Sequence, residues 1–378
     1  MTYRRTLFAA AAALGAIAGA PAAQADTFSY AMNLNPTEPM PANAYIPWAE
    51  SVKNRTNGDV TIEFYFSGAL LPNAESLAGT RSGVADLAYH AFTYTPAEMP
   101  IWNVISFLGF KVPKPHVVAI AAAEYGLLDP EGNGEIAKAG VVYMGGYTTP
   151  AYHFICRSDK IAGAEDLKGL RVRTPGGPWS EFARSLGMVD VNITSAEMYT
   201  AFERGAVDCA TADPTHIVTG ANLLRVAKGF NTMPMGPFFT GASWIWNPDS
   251  WARISEENRK IVLEESARYL AVNITTYVAD GEKAKQAGKD GGITFVEPSP
   301  DLVDAYQAFV ADIDDIVVAK GKAAGVGNIE KEMADFTALM EKWDGLLKDV
   351  DVTDADVLGK LIWDNIYSKV DVATYGIR

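Results

Sequence analysis

Two stretches of this chain carry one pattern at a fixed distance. When "ESLAGTRSGVADLA" (75–88) is laid beneath "EMYTAFERGAVDCA" (197–210), Glu, Gly, Asp and the final Ala match without a gap, and Gly205 lies 122 residues after Gly83. Each copy reads as a helix ended by glycine at its C-cap, then a short strand with the Asp just inside it. Both copies follow a strand-like run and a turn of small and polar residues, Asn73-Ala74 in one and Thr194-Ser195-Ala196 in the other. A chain that repeats a strand–helix–strand unit at this spacing is expected to fold as two similar α/β domains.

The rest of the pattern agrees. Strand-like runs at 60–66, 170–173 and 189–193 alternate with helix-like ones at 44–53 and 255–279, which predicts α/β layers with mostly parallel strands. With 378 residues, 48% hydrophobic and 21% charged, the chain has material for about two domains. Past the second copy, residues 230–251 are dense in Met, Phe, Trp, Pro and Gly. Ser255, with Glu256 and Glu257 behind it, then starts a helical pattern running to about residue 287. A helix of that length can bridge two domains. Further helical blocks are expected at 301–324 and 329–347. The resulting division is residues 26–150 plus about 238–275 for the first domain, 151–237 plus about 276–350 for the second, and an unassigned tail over 351–378.

Residues 1–25 read as a secretory signal peptide. Arg4 and Arg5 precede an apolar run from Leu7 to Ala20, and Ala23-Gln24-Ala25 offers a cleavage site after Ala25. The mature protein is therefore expected in an exported compartment, the periplasm. Losing the two arginines takes the net charge from −14 to −16, so nucleic acid and anionic membranes are poor partners. Cys156 and Cys209 both sit in apolar, strand-like surroundings, where a disulfide and two buried free thiols are equally natural.

The chain has no Gly-x-Ser-x-Gly, Gly-x-x-x-x-Gly-Lys, Gly-x-Gly-x-x-Gly, His-Glu-x-x-His or Cys-x-x-Cys, and its four histidines, at 90, 116, 153 and 216, have no ligand spacing. The expectation is a protein that is not an enzyme and uses no metal or cofactor. The chemistry that remains lies in "DLKGLRVRTPGG" (166–177). Strand period two puts Arg171 and Arg173 on one side, with Arg173 nearer the carboxyl end, where α/β proteins bind ligands. Gly176 and Gly177 then turn the chain, so that a helix starting near Pro178 should aim its free N–H groups at the same crevice. A guanidinium can hold a carboxylate through two parallel hydrogen bonds. Alternatively both arginines pair with surface acids. Spacing alone does not choose between these readings.

Taken in order, the segments "AESVKNRTNGDVTIEFYFSGAL", "SGVADLA", "AGAEDLKGLRVRTPGG", "SAEMYTAFERGAVDCA" and "NPDSWARISEENRKIV" resemble the solute-binding proteins of tripartite ATP-independent periplasmic (TRAP) transporters, DctP type. The resemblance runs from about Tyr30 to about Ala324. It implies a two-domain, type II-like binding fold with crossing strands and a long bridging helix, closing on ligand like a clamp. It also implies a partnership with TRAP membrane permease subunits and assigns Arg173 to a substrate carboxylate. Where many relatives carry a second arginine, this chain has Tyr152, with Arg157 five residues on; "DCATADPTH" leaves Asp213 as the nearest polar candidate. These departures favour a monocarboxylate, held by Arg173 and Tyr152, over a dicarboxylate gripped by two arginines. Phe238, Phe239, Trp179 and Tyr94 are expected to complete the pocket, with His90 and Thr93 at the equivalent crevice of the first domain. Asp213 opposite Arg173 leaves open a zwitterionic osmolyte such as ectoine. The reading from another class is an exported hydrolase. A monomer is expected.

Overall fold

The computed structural model describes residues 26–377; the expected signal peptide, 1–25, lies outside them. Eleven strands form two sheets among these residues. The strands are β1 (Asp26–Ala31), β2 (Val60–Tyr65), β3 (Leu87–Ala91), β4 (Val142–Tyr143), β5 (His153–Cys156), β6 (Arg171–Thr174), β7 (Val189–Asn192), β8 (Cys209–Ala212), β9 (Gly229–Asn231), β10 (Gly241–Trp246) and β11 (Thr294–Val296). One sheet runs β2-β1-β3-β10-β4 and the other β11-β9-β5-β8-β6-β7.

The repeat is visible in this order. β1 lies parallel between β2 and β3, and β6 lies parallel between β7 and β8. In each unit the helix after the outer strand, Ser76–Arg81 or Met198–Glu203, is followed by a glycine with positive φ, 77° at Gly83 and 66° at Gly205. Only glycine takes that conformation without cost, which is why the pattern keeps it. The repeated aspartates stand one residue before the strand rather than inside it, and both clamp the neighbouring strand. Asp86 accepts from Ser29 N and Oγ, both at 2.8 Å, and Asp208 accepts from Arg171 N at 3.0 Å. Each also faces an arginine, Arg253 or Arg171.

The strands are less uniformly parallel than expected. β10 runs antiparallel to both β3 and β4, and β5 runs antiparallel to both β8 and β9. These exceptions follow from the connections. The chain crosses from β4 to β5 and returns from β9 to β10, and the two crossing segments pair with each other: Thr149 N donates to Phe238 O at 3.0 Å, and Ala151 bridges Pro237. A third crossing is the helix Glu256–Asp290, capped by Ser255 Oγ and about 52 Å long at 1.5 Å per residue. Near its start Asn258 and Glu265 bond Asp59 and Arg55; near its end Gly288 lies against Ile217 and Phe295 of the second half. At Gly281 a methyl group would sit 2.9 Å from Pro150, so glycine lets the crossing segment lie directly on the helix.

Cys156 and Cys209 are joined by a disulfide across the paired strands β5 and β8. The helices Ile313–Ala323 and Ile329–Leu346 belong with the second domain in the division drawn above, yet most of their contacts are with the first half, the Lys320–Glu181 pair being an exception. Glu332 accepts from Tyr125 Oη at 2.6 Å, Lys111 pairs with Asp314, and Phe336 stacks on Phe239. The tail contains the helix Ala355–Asn365, which packs along the long helix. No helix among the described residues is long and apolar enough to cross a membrane.

Candidate ligand-binding site

The two arginines of β6 share a face but not a role. Arg171, at the exposed amino end, is bound through Nε and Nη2 to both carboxylate oxygens of Asp208 at 3.0 and 2.7 Å, as the surface reading expects. Arg173 is only 1% exposed and forms no ion pair within 4 Å among the described residues. Its Nε donates to Ile193 O at 3.0 Å and its Nη1 to Thr211 O at 3.2 Å. Two backbone carbonyls thus orient a buried cation whose remaining donor edge faces a cavity.

That cavity encloses about 450 Å³ between its walls, mouth included, and four parts of the fold build it. The carboxyl ends of the first sheet supply Asn33, Leu34, Tyr89, Ala91 and Tyr94; those of the second supply Arg173, Ser195, Asp213 and His216. The crossing segments bring Tyr147, Thr149, Tyr152 and Phe238, and the long helix brings Tyr277. The space continues outward past Glu38, Ser195 and His216 into a cleft edged by Ser67, Tyr199 and Gly220. The repeat reappears across it: Ser195 stands 122 residues after Asn73, and Asp213 122 after Ala91, with all four positions in the lining. A duplicated unit has become two facing walls.

The electrostatics are set by burial. Burial, followed by the charge of Asp213, raises the Tyr152 phenol well above its ordinary value, so it stays protonated and able to donate. Asp213, fully buried, accepts from Thr215 N at 2.9 Å, Thr215 Oγ1 at 2.5 Å and Tyr277 Oη at 3.2 Å. It therefore both starts the Pro214–Ile217 turn and lines the cavity, with its charge already shared among three donors.

Comparison with known proteins places this architecture. The model of bacterial extracellular solute-binding protein family 7, DctP, matches residues 30–318. The chain belongs to that family. An outer membrane transporter protein of Comamonas testosteroni is 26% identical over 339 residues, spanning 89% of this chain and 97% of that one. Among solved structures, a TRAP solute-binding protein from Rhodoferax ferrireducens, in complex with copurified benzoate, superposes with a TM-score of 0.77 at 17% identity, over 85% of this chain and 99% of that one. Another from Bordetella bronchiseptica, with bound (R)- and (S)-mandelate, reaches 0.73 at 19% identity, over 84% and 100%. At such identities these two likenesses concern the fold.

Within this family-7 fold the expected site residues divide. Arg173, Tyr152, Asp213, Phe238 and Tyr94 meet at the cavity. Trp179 stands one layer behind, its ring 5.0 Å from Tyr152 and stacked 5.4 Å from Phe238, so it backs the wall without lining it. Phe239 points the other way, onto Phe336 and against Gly109, because successive residues of an extended segment alternate sides. His90 and Thr93 are buried and outside the lining. Burial lowers the His90 pKa to about 3, and the neutral ring is engaged by Ser76 Oγ at 2.7 Å and Thr95 Oγ1 at 2.8 Å. The helix Gly177–Ser185 also misses the cavity: its first turn packs toward Ser106 and Thr93 instead. The residues not foreseen include Asn33, Asn73, Tyr89, Tyr147, Thr149, Ser195, His216 and Tyr277. For Asn73 and Ser195 the signal was present, in the turns that precede both copies of the repeat.

Proposed function

We propose that this binding protein captures an organic monocarboxylate in the periplasm and delivers it to TRAP membrane permease subunits, without chemistry of its own. The observation that carries the reading is Arg173: a buried guanidinium, held from behind by two carbonyls, facing a cavity with no acid paired to it. A buried cation with no acid in contact is costly, and a ligand carboxylate supplies one. The benzoate and mandelate named for the structural neighbours are monocarboxylates with one ring, and the Tyr and Phe side chains here make a wall suited to such a ring. The paired crossing segments and the long helix are the elements about which the halves would open and close.

A zwitterionic ligand is the second reading, because Asp213 shares the cavity. Its three donors argue against it, since they occupy most of the acceptor sites that an ammonium would bond directly. Thermal unfolding of the protein against aromatic acids, 2-oxo and hydroxy acids, dicarboxylates and betaines tests both readings. A bound ligand must raise the midpoint, by an amount that grows with the logarithm of its concentration over its Kd. A rise with monocarboxylates supports the proposal, a rise with betaines alone supports the zwitterion, and none with any carboxylate refutes capture of an organic acid.

A further inference from the structure

Two amide side chains in the cavity wall are left unexplained by the grip on a carboxylate. Asn33 follows β1, and Asn73 begins the turn before the helix Ser76–Arg81; both belong to the first half, whereas Arg173 stands on the second. The Oδ1 atoms of both are buried and accept no hydrogen bond, and neither amide nitrogen donates one among the described residues. Asn73 is only 7% exposed. Native proteins rarely leave buried polar groups unmatched, since each costs about 1–3 kcal/mol.

Asn73 is also held in place. Ser76 Oγ donates to the Asn73 carbonyl at 2.7 Å and lies 2.7 Å from His90 Nδ1, while His90 Nε2 lies 2.8 Å from Thr95 Oγ1. The serine has one proton and gives it to the carbonyl, so the ring donates from Nδ1 and accepts at Nε2. His90 is thus a positioning residue: it fixes the backbone that presents the Asn73 amide, and the amide itself is left to the cavity.

Resting on carboxylate capture at Arg173, we propose that Asn33 and Asn73 form a second polar subsite that selects organic acids bearing a hydroxyl at the end away from the carboxylate. A hydroxyl donates to an amide oxygen and accepts from an amide nitrogen, matching both unused functions. A ligand with only hydrogen or methyl there leaves both amides desolvated and unpaired, and sites built this way reject such analogues strongly.

Calorimetric titration of the purified protein with matched pairs tests this: benzoate against 3- and 4-hydroxybenzoate, phenylacetate against its ring-hydroxylated forms, butyrate against 4-hydroxybutyrate. In the size class that fits, the hydroxylated member is expected to bind at least about tenfold tighter. Asn73→Leu and Asn33→Leu should each remove most of that preference, weakening the hydroxylated member and, with no amide left unpaired, tightening the unsubstituted one. Equal binding within every pair overturns the subsite and leaves carboxylate capture standing, and this comparison needs no variant to fold. A preference that survives both substitutions overturns its assignment to these asparagines. Failure of every carboxylate to bind overturns the subsite together with the reading beneath it.

Discussion

Replacing Arg173 with alanine is the sharpest perturbation the structure offers. The side chain is 1% exposed, its Nε and Nη1 are occupied by Ile193 O and Thr211 O, and no acid pairs with it within 4 Å among the described residues. A bound carboxylate would therefore meet the remaining donor edge as its principal counter-charge. Truncating one partner of such a pair costs about 2–5 kcal/mol, which raises Kd roughly 30- to 5000-fold. The empty protein should barely notice. Losing a buried cation that has no acid in contact relieves a desolvation cost, which offsets leaving Ile193 O and Thr211 O without this donor, so the unliganded midpoint should move by no more than about 1–2 °C, corresponding to roughly 1 kcal/mol in a protein of this size. Arg173→Lys keeps the charge but loses the two carbonyl bonds that aim it, and should still weaken binding at least about tenfold. Isothermal titration with a tight-binding acid from the thermal screen measures all three proteins. If Arg173→Ala binds within about threefold of the parent, the buried guanidinium is structural and the reasoning is wrong.

Four further outcomes are expected. Burial lowers both His90 and His153 to about 3, so each is neutral when folded; their stabilisation is complete above the unfolded value of 6.5 and is lost as pH falls from there toward 3. At pH 5 each should cost about 2 kcal/mol, seen as a falling unfolding midpoint between pH 7 and 5 whose histidine part is roughly halved when His90 is replaced by Gln. Burial raises the Glu135 carboxyl to about 7, against opposing hydrogen bonds from Ile101 N and Trp102 N, so its contribution has the opposite sign: stability declines as pH rises from 4.5 through 7, and the Glu135→Gln protein should lack that component. The Cys156–Cys209 bridge spans a sequence separation of 53 residues, and replacing both with alanine should cost about 4 kcal/mol by loop entropy, measured by denaturant titration with the parent as reference; a loss below about 1 kcal/mol refutes a loop-closure role. Asp213→Asn should leave affinity for a monocarboxylate within about tenfold, whereas a zwitterion would lose its ammonium partner and bind far more weakly, by 2–5 kcal/mol.

What the sequence alone determined was local or repeated. The duplicated pattern around Gly83 and Gly205 specified two parallel strand–helix–strand units, because a positive-φ glycine at a helix end is a short-range requirement that recurs at a constant offset. Ser255 and the acids behind it specified where the bridging helix begins, and the position of Arg173 near the carboxyl end of β6 made it a candidate ligand-facing cation without separating it from a surface charge. Tertiary structure decided everything that depends on which distant segments meet. Strand period puts Arg171 and Arg173 on one face, yet only folding brought Asp208 to the first and left the second without an acid. Period two separates Phe238 from Phe239, but which of them faces the cavity is set by the pairing of residue 238 with Thr149, 89 residues away. Tyr277 reaches the cavity from a helix that passes both halves, and His90 turned out to support Asn73 rather than touch the space itself. Local pattern fixes how a segment bends and which sides it has; what those sides face depends on long-range pairing, which leaves no mark at a single position of one sequence.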